Sequence, residues 1–217
     1  MFRLDHHIHS RFSPDSESRI RDILDVACRR NIDIIGISDH NTVEGNRYAR
    51  ELKQENVLIV PSIEISSSDG HIVGFGCEEN VSQGMSPAET IDIIHDQGGI
   101  AIIPHPYCFY RHGLLHDNDD KLDFDAIETR NARFIIGYCN RKAKNLSEKY
   151  KIPELGASDA HYYGFVGDCY SEIDCEKDID SVLKAIKKGR TKACGKGTSN
   201  IRLSEYLFRK NVLKKID

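Results

Sequence analysis

The sequence predicts an α/β fold built as a compact, incomplete (β/α) barrel, and three observations point there. Short apolar runs of strand length alternate with amphipathic segments of helical period, which gives a mainly parallel sheet with helices outside it. Nearly every expected strand ends, at its carboxyl end, in a His, Asp or Glu, and barrels gather their functional groups at that face. About seven such strands fit into 217 residues, a length that suits one domain with one sizeable core. The alternative is a doubly wound open sheet, which would gather ligands at one switch crevice rather than from strands all around.

The first strand is Phe2-Arg3-Leu4-Asp5-His6-His7-Ile8-His9-Ser10. Side chains two apart on a strand share a face, so His7 and His9 project together. Two imidazoles on rigid backbone make half of a metal site. A vector-derived tag does not suit them, because they are interleaved with apolar residues. Arg11 to Ser16 reads as a loop carrying Asp15. A helix is expected from about Glu17 to Arg30, where Ile20, Ile23, Leu24, Ala27 and Cys28 fall on one face. Ile32 to Ser38 is a run of buried-strand length that ends in Asp39-His40-Asn41-Thr42. Val43 to Glu55 looks helical, and Val57 to Glu64 is the next strand, ending on a carboxylate. Ser66 to Gly70 is a turn, and His71 to Gly76 a short strand.

Ser86-Pro87-Ala88-Glu89 has the pattern of a capping box with Pro at the first helical position, opening a helix through Gln97 that Gly98-Gly99 stops. Ile100 to Pro104 is a buried strand that delivers His105-Pro106. Tyr107 to Asp123 reads as a long polar loop over one end of the domain. Ala126-Ile127-Glu128 is a short strand leading to Asn131, Cys139 to Tyr150 a helix, and Leu155 to Ser158 a strand that stops at Asp159-Ala160-His161. A strand around Tyr170 to Ile173, an amphipathic helix from Asp178 to Lys188 and a helical segment from Ile201 complete the chain. Residues 175–217 are thus expected to form a helical extension packed on a single domain spanning 1–217.

Composition is that of an ordinary globular protein, 39% hydrophobic and 29% charged, with a formal charge of -4. That charge gives no basic footprint of the kind a dedicated duplex binder carries. No run reaches transmembrane length, and Met1-Phe2-Arg3 leads straight into the first strand, so neither membrane attachment nor a signal peptide is expected. The seven cysteines are scattered and form no C-x-x-C pair, which suits free thiols in a reducing cytoplasm better than disulfides or a cysteine zinc site.

The candidate metal ligands are His7, His9, Asp15, His40, Glu64, His71, His105, Asp159 and His161. Singly, each has a structural explanation: Asp15 as a turn residue, His71 in a half-buried strand, Asp159 as a helix cap. Jointly, placed at strand ends and without cysteine, they point to borderline or hard divalent ions such as Zn, Mn or Fe. The set exceeds what one ion needs, so two or three ions are expected.

Asp5-His6-His7-Ile8-His9-Ser10 with Ser13-Pro14-Asp15 resembles the first motif of the PHP (polymerase and histidinol phosphatase) superfamily, and Ser38-Asp39-His40-Asn41-Thr42 resembles its second. Glu64, His71 to Gly76, His105-Pro106 and Gly156 to His161 match the rest in order, over about Met1 to Asp174. His6 departs from the pattern, which has an apolar residue there, and is expected to face away from the site. The resemblance implies a distorted (β/α)7 barrel and a trinuclear centre that hydrolyses phosphoesters by a metal-bridging hydroxide. His7, His9, Glu64 and Asp159 would hold one ion, Glu64 would bridge to a second held by His71 and His105, and Asp15, His40 and His161 would hold the third. Glu64, Asp159 and His161 are the residues expected to carry the reaction. Asp5 and Asp39 are expected either to accept ring N–H bonds from ligand histidines or to act as strand-end and helix caps.

Substrate phosphate needs cations, and Arg11, Arg111, Arg130 and Arg133 lie in or near loops at that face, each also readable as solvated surface. His95 is expected to be structural, and His112 and His116 to be lid or surface residues, with substrate contact as the alternative. Tyr107, Phe109 and Tyr110 would either stack on a base or pack their loop down. Gly195-Lys196-Gly197-Thr198 looks like a phosphate loop but lacks its spacing, and is read as a turn. The resemblance implies as partner a phosphorylated small molecule, nucleotide or short oligonucleotide, as for a 3′,5′-nucleoside bisphosphate phosphatase or a 5′–3′ exonuclease. Histidinol-phosphate phosphatase, a non-catalytic PHP scaffold and a hydrolase of C–N bonds are the alternatives.

Overall fold

In a computed structural model the chain folds around one nine-stranded sheet, ordered β7-β6-β5-β4-β3-β2-β1-β8-β9. Residues 1–52, 56–108, 111–115, 122–133 and 137–213 are described. The strands are β1 (Phe2–Ile8), β2 (Ile34–Ile37), β3 (Leu58–Ser66), β4 (His71–Phe75), β5 (Ile100–Ile103), β6 (Ala126–Asn131), β7 (Glu154–Ala157), β8 (Cys169–Ile173) and β9 (Thr191–Gly195). β4 and β8 run against the other strands, which share one direction. The helices are α1 (Ile20–Arg29), α2 (Glu44–Glu51), α3 (Pro87–Asp96), α4 (Tyr138–Tyr150), α5 (Ile179–Lys187) and α6 (Asn200–Leu213). None of the described helices is long and apolar enough to cross a membrane.

The sheet curls until its two ends meet. Gly156 of β7 donates its N–H to Ser171 Oγ of β8 at 2.9 Å, and Thr191 Oγ1 of β9 donates to the Glu154 carbonyl at 2.7 Å. Beyond β7, Ala160 bridges to Ile8 at the end of β1. The seam demands a glycine, because a Cβ on residue 156 would lie 2.4 Å from the Tyr170 carbonyl oxygen. The result is the expected distorted barrel.

Its interior is filled at one end only by apolar side chains. Leu4, Ile34, Val60, Phe75, Ile102, Ala126, Leu155 and Ile173 form one cluster with Val182, Ala185 and Ile186 of α5. These strand residues sit at the starts of the co-directional strands and towards the ends of the reversed ones, so α5 plugs the amino-terminal mouth. Apolar closure there leaves the polar strand ends to the opposite mouth. Outside the sheet, α1 packs Ile20, Ile23, Leu24 and Ala27 on Ile35 and Ile37, and α3 packs Ile91 and Ile94 on Ile63 and Ile72.

Most elements match the sequence reading, and the departures have local causes. α1 starts at Ile20 rather than Glu17, because Ser16 Oγ bonds the His9 and His161 carbonyls and Ser18 O takes the Arg11 N–H. Cys28, expected on the buried face, is exposed, while Cys77, Cys108 and Cys169 are buried free thiols. The capping box at Ser86 and Glu89 forms as expected, the hydroxyl accepting from Glu89 N and the carboxylate from Ser86 N. Within 175–217 the two helices form, but β9 lies between them. Thr191-Lys192-Ala193-Cys194 has little apolar alternation, as suits a partly exposed last strand of the sheet.

A Gly156→Ala substitution should leave the site chemistry intact but open the seam. We expect a loss of about 2 kcal/mol in urea unfolding, in the range of overpacked cores; an unchanged midpoint would show that the seam does not need the glycine.

Candidate metal centre

All nine candidate ligands converge at the carboxyl-terminal mouth, where they fall into overlapping groups. Donor atoms lie within 4.8 Å of one another in His7/His9/Glu64, His7/His105/Asp159, His40/Glu64/His71 and His9/Asp15/His40/His161. β1 supplies His7 and His9, whose Nε2 atoms are 3.1 Å apart. Glu64 from β3 is the hub. Its Oε1 faces His71 Nδ1 and His105 Nε2, both at 3.0 Å, while its Oε2 faces His7, His9 and His40 at 3.4, 3.3 and 3.2 Å. Asp159, just past β7, brings Oδ1 to 3.9 Å from His7, 3.6 Å from His9 and 3.4 Å from His161. Asp15 reaches His161 at 2.6 Å and His40 at 3.5 Å from the rim.

Two of these residues are held in strained backbone. His105 has φ 31° and Asp159 φ 50°, in the left-handed region that L-residues rarely adopt. Such strain persists only where surrounding contacts enforce it. At His105 the enforcing contact is its N–H, donated to Glu128 Oε2 at 2.8 Å.

Glu128 was not among the sequence candidates, yet the centre is built on it. It is fully buried on β6 and accepts from His7 Nδ1 at 2.8 Å and Asn131 Nδ2 at 2.8 Å. Burial by itself disfavours its charge, but the adjacent His7 and His6 hold its carboxyl well below the usual range. Accepting from Nδ1 fixes the proton there and turns the lone pair of His7 Nε2 towards Glu64 and His9. The signal available in sequence was a Glu following two apolar residues on an expected strand, which alone does not separate an inward carboxylate from an outward one.

His6 is also a correction. It does not face away: its Nε2 lies 3.2 Å from Glu128 Oε1, the same oxygen that His7 bonds. The register of β1 on β2 shifts between Asp5 and Ile8, and that irregularity turns both neighbours inward. His6 packs edge-on to Phe75, below the ligand groups. Asp5 and Asp39 accept no ring N–H among the described contacts. Asp5 takes the backbone N–H groups of Ser158 and Gly167, and Asp39 takes the N–H and hydroxyl of Ser10, tying down the loops that carry the ligands. Burial raises both carboxyls to about 6.

The arginines separate. Arg111 pairs with Asp159 and reaches Asn131 Oδ1 at 3.3 Å, while Arg133 lies 3.3 Å from Asp159 Oδ1 and 2.8 Å from His161 Nδ1. Arg11 instead lies over the rings of Phe12 and Tyr48. Arg130 points away from the cluster and donates to the Gly195 carbonyl at 2.9 Å. His95 bonds Asp125 on the helix side, the structural role expected, and the His112 ring lies tilted beside that of His71, with centroids 5.3 Å apart. Tyr107 packs against the outer core with Lys142 over its ring, so it fastens its loop. Phe109, Tyr110 and His116 lie outside the described residues.

The donor set fits divalent ions. Burial and the neighbouring His161 lower the basicity of His9, leaving a neutral imidazole with a lone pair to give. Although burial opposes it, Asp159, Glu64 and Glu128 around His7 favour added positive charge there, as His7 and His71 do for negative charge at Glu64. His105 Nδ1 is buried without a hydrogen-bond partner among the described residues.

A barrel-shaped sheet that gathers six imidazoles and three carboxylates at one mouth is the scaffold of a metal-dependent hydrolase. The family described as PHP-associated matches residues 137–191. An uncharacterised Methanocaldococcus jannaschii protein, MJ1587, is 38% identical over 157 residues, covering 66% of this chain and 90% of that protein. The phosphoribosyl 1,2-cyclic phosphate 1,2-diphosphodiesterase of Eggerthella lenta is 34% identical over 82 residues, 35% of this chain and 31% of the enzyme. Among solved structures, a Bacteroides vulgatus two-domain protein containing a predicted PHP-like metal-dependent phosphoesterase superposes with a TM-score of 0.75 at 17% identity, covering 90% of this chain and 65% of that one. Endonuclease Q, in complex with a 27-mer duplex bearing an abasic lesion, gives a TM-score of 0.67 at 15% identity over 89% of this chain and 59% of that one. The chain belongs to the PHP superfamily.

Glu128→Gln keeps the shape of the side chain and removes the acceptor charge behind His7. Metal affinity, measured by competition with a chelating dye, should fall about 10–100-fold, as for other supports of ligand histidines, with the circular dichroism spectrum unchanged. Equal affinity in the variant would remove Glu128 from this role.

Proposed function

We propose that this chain, a metal-dependent hydrolase of phosphate esters, acts on nucleotides or short oligonucleotides, with two or three divalent ions of the Zn, Mn or Fe type. The observation that carries the reading is the division of Glu64, whose two oxygens face two different sets of imidazoles. His7, His9, Glu64 and Asp159 would hold one ion, Glu64 with His71 and His105 a second, and Asp15, His40 and His161 a third. Such ions lower the pKa of bound water and offset the charge of a phosphoryl group and its leaving oxygen.

The chain's own groups complete the chemistry. Glu128 and Ser13 orient His7 and His9, the latter through Ser13 Oγ at 3.3 Å from His9 Nδ1. Arg111 and Arg133 stand beside Asp159, where each guanidinium has donors to offer phosphoryl oxygens. His161 lies between Asp15 and Arg133, so the Arg133 guanidinium would stand at the edge of the third ion's ligand set. Arg11 and Arg130 take no part in this reading.

Support for nucleotide substrates comes from a sequence relative named for a cyclic phosphoribosyl phosphate and from a neighbour in fold that is solved with DNA. The net charge of -4 favours a small or short substrate over a long duplex. A product screen with Mn, Zn or Fe supplied, reading phosphate from nucleoside bisphosphates, mononucleotides from 5′-phosphorylated oligonucleotides and phosphate from histidinol phosphate, tests the reading. Release from the first two is expected, abolished by chelation and reduced at least about 10³-fold by His9→Ala or Asp159→Ala. Preference for histidinol phosphate would replace the substrate. Metal-loaded protein that cleaves none of them but binds a partner would be a scaffold.

A further inference from the structure

Outside the metal centre, a cavity of about 520 Å³ lies between α4 and the β6–β7–β9 part of the sheet. Among the described residues its walls carry four cations, Arg130, Arg141, Lys144 and Lys192, against a single lining carboxylate, Glu154. Lys144 answers that carboxylate at 2.6 Å. Arg130 spends one donor on the Gly195 carbonyl. Arg141 and Lys192 are exposed and form no ion pair within 4.0 Å among the described residues; Glu172, opposite Lys192 across β8 and β9, does not close on it. An excess of cations in one concavity is unusual on a chain of net charge -4.

Two further features suit an anion. Gly137, the N-cap of α4, lines the cavity without any side-chain cap, so the positive end of a thirteen-residue helix faces it. Gly197 lines it too, in the irregular stretch that follows β9 in place of the expected turn. That stretch is fastened just past the carboxyl end of β6 by Thr198 N–H donating to the Ala132 carbonyl at 2.8 Å. The cavity is linked to the metal centre through a chain of hydrogen bonds. Asn140, on its wall, exchanges hydrogen bonds with the backbone of Asn131, whose side chain bonds Glu128 and Asp159.

We propose that this cavity is a second phosphate-binding site, distinct from the one where hydrolysis occurs. The inference rests on the reading of the substrate as a phosphorylated nucleotide or oligonucleotide. Arginine and lysine donors together with a helix amino terminus recognise phosphate oxygens by charge and hydrogen bonding, without reading a base. The phosphate comes from one of two sources: a phosphodiester further along an oligonucleotide whose end lies in the metal centre, or a free phosphorylated compound.

The test compares the Mn-loaded wild type with an Arg141→Ala/Lys192→Ala double variant, both positions being exposed and remote from every metal ligand. Fluorescent, 5′-phosphorylated phosphorothioate dinucleotides and hexanucleotides are titrated by anisotropy, and inorganic pyrophosphate by its shift of the melting temperature. For the oligonucleotide source, the wild type binds the hexanucleotide about tenfold more tightly than the dinucleotide, and the variant loses that advantage, a difference of about 1.4 kcal/mol. For a free source there is no length preference, but pyrophosphate raises the melting temperature of the wild type more than that of the variant. The site is overturned if length preference and pyrophosphate shift are both the same in the two proteins. Hydrolysis of a nucleoside 3′,5′-bisphosphate should be equal in both. Its absence from the wild type would count against the proposed function, and the binding comparison would still judge the cavity.

Discussion

Three carboxylates, Glu64, Glu128 and Asp159, are buried at one mouth of this barrel, and the rest of the site follows from keeping them charged there. An unpaired carboxylate in a protein interior costs several kcal/mol, more than any single hydrogen bond returns. Each is therefore surrounded by donors: Glu64 by five imidazoles, Glu128 by His7, Asn131 and the His105 N–H, and Asp159 by Arg111, Arg133 and Asn131. The roles differ by partner. Glu128, met only from the protein side, orients ligands. Glu64 and Asp159, which face into the mouth, have lone pairs left to share with a cation.

The barrel makes this concentration of charge possible by separating its two ends. α5 and the strand starts seal one mouth with apolar side chains, and the opposite mouth is left to polar groups. Loops at the polar end are then tied by buried acceptors, Asp5 to the 158 and 167 amides and Asp39 to Ser10, so that ligand side chains stand on fixed backbone. The left-handed conformations of His105 and Asp159 belong to the same scheme: backbone bent off the strand ends aims their side chains inward. A pocket rich in arginine and lysine lies on the flank, joined to the centre through Asn140 and Asn131.

Much of this was legible in the sequence, because strand alternation and strand-end chemistry are local. His7 and His9 share a face by spacing alone, and Ser86 and Glu89 cap α3 as their pattern requires. The order of strands and helices and the family motifs gave the barrel. Where the local rule was broken, the reading went astray. The irregularity in β1 turns His6 inward beside His7, and β9 has too little apolar alternation to announce a strand.

The sequence by itself determined which residue types stand at the strand ends, and hence the class of chemistry. Only the tertiary structure decided which carboxylate supports and which one bridges. Glu64 and Glu128 are alike in sequence, each a glutamate near a strand end. Their roles are set by what lies across the barrel from each oxygen, and residues as distant as His7, Asn131 and Asp159 are brought together only when the sheet closes. The arginines were sorted in the same way. Arg111 and Arg130 are both cations near loops in the chain, but the curl of the sheet puts one on Asp159 and the other on Gly195.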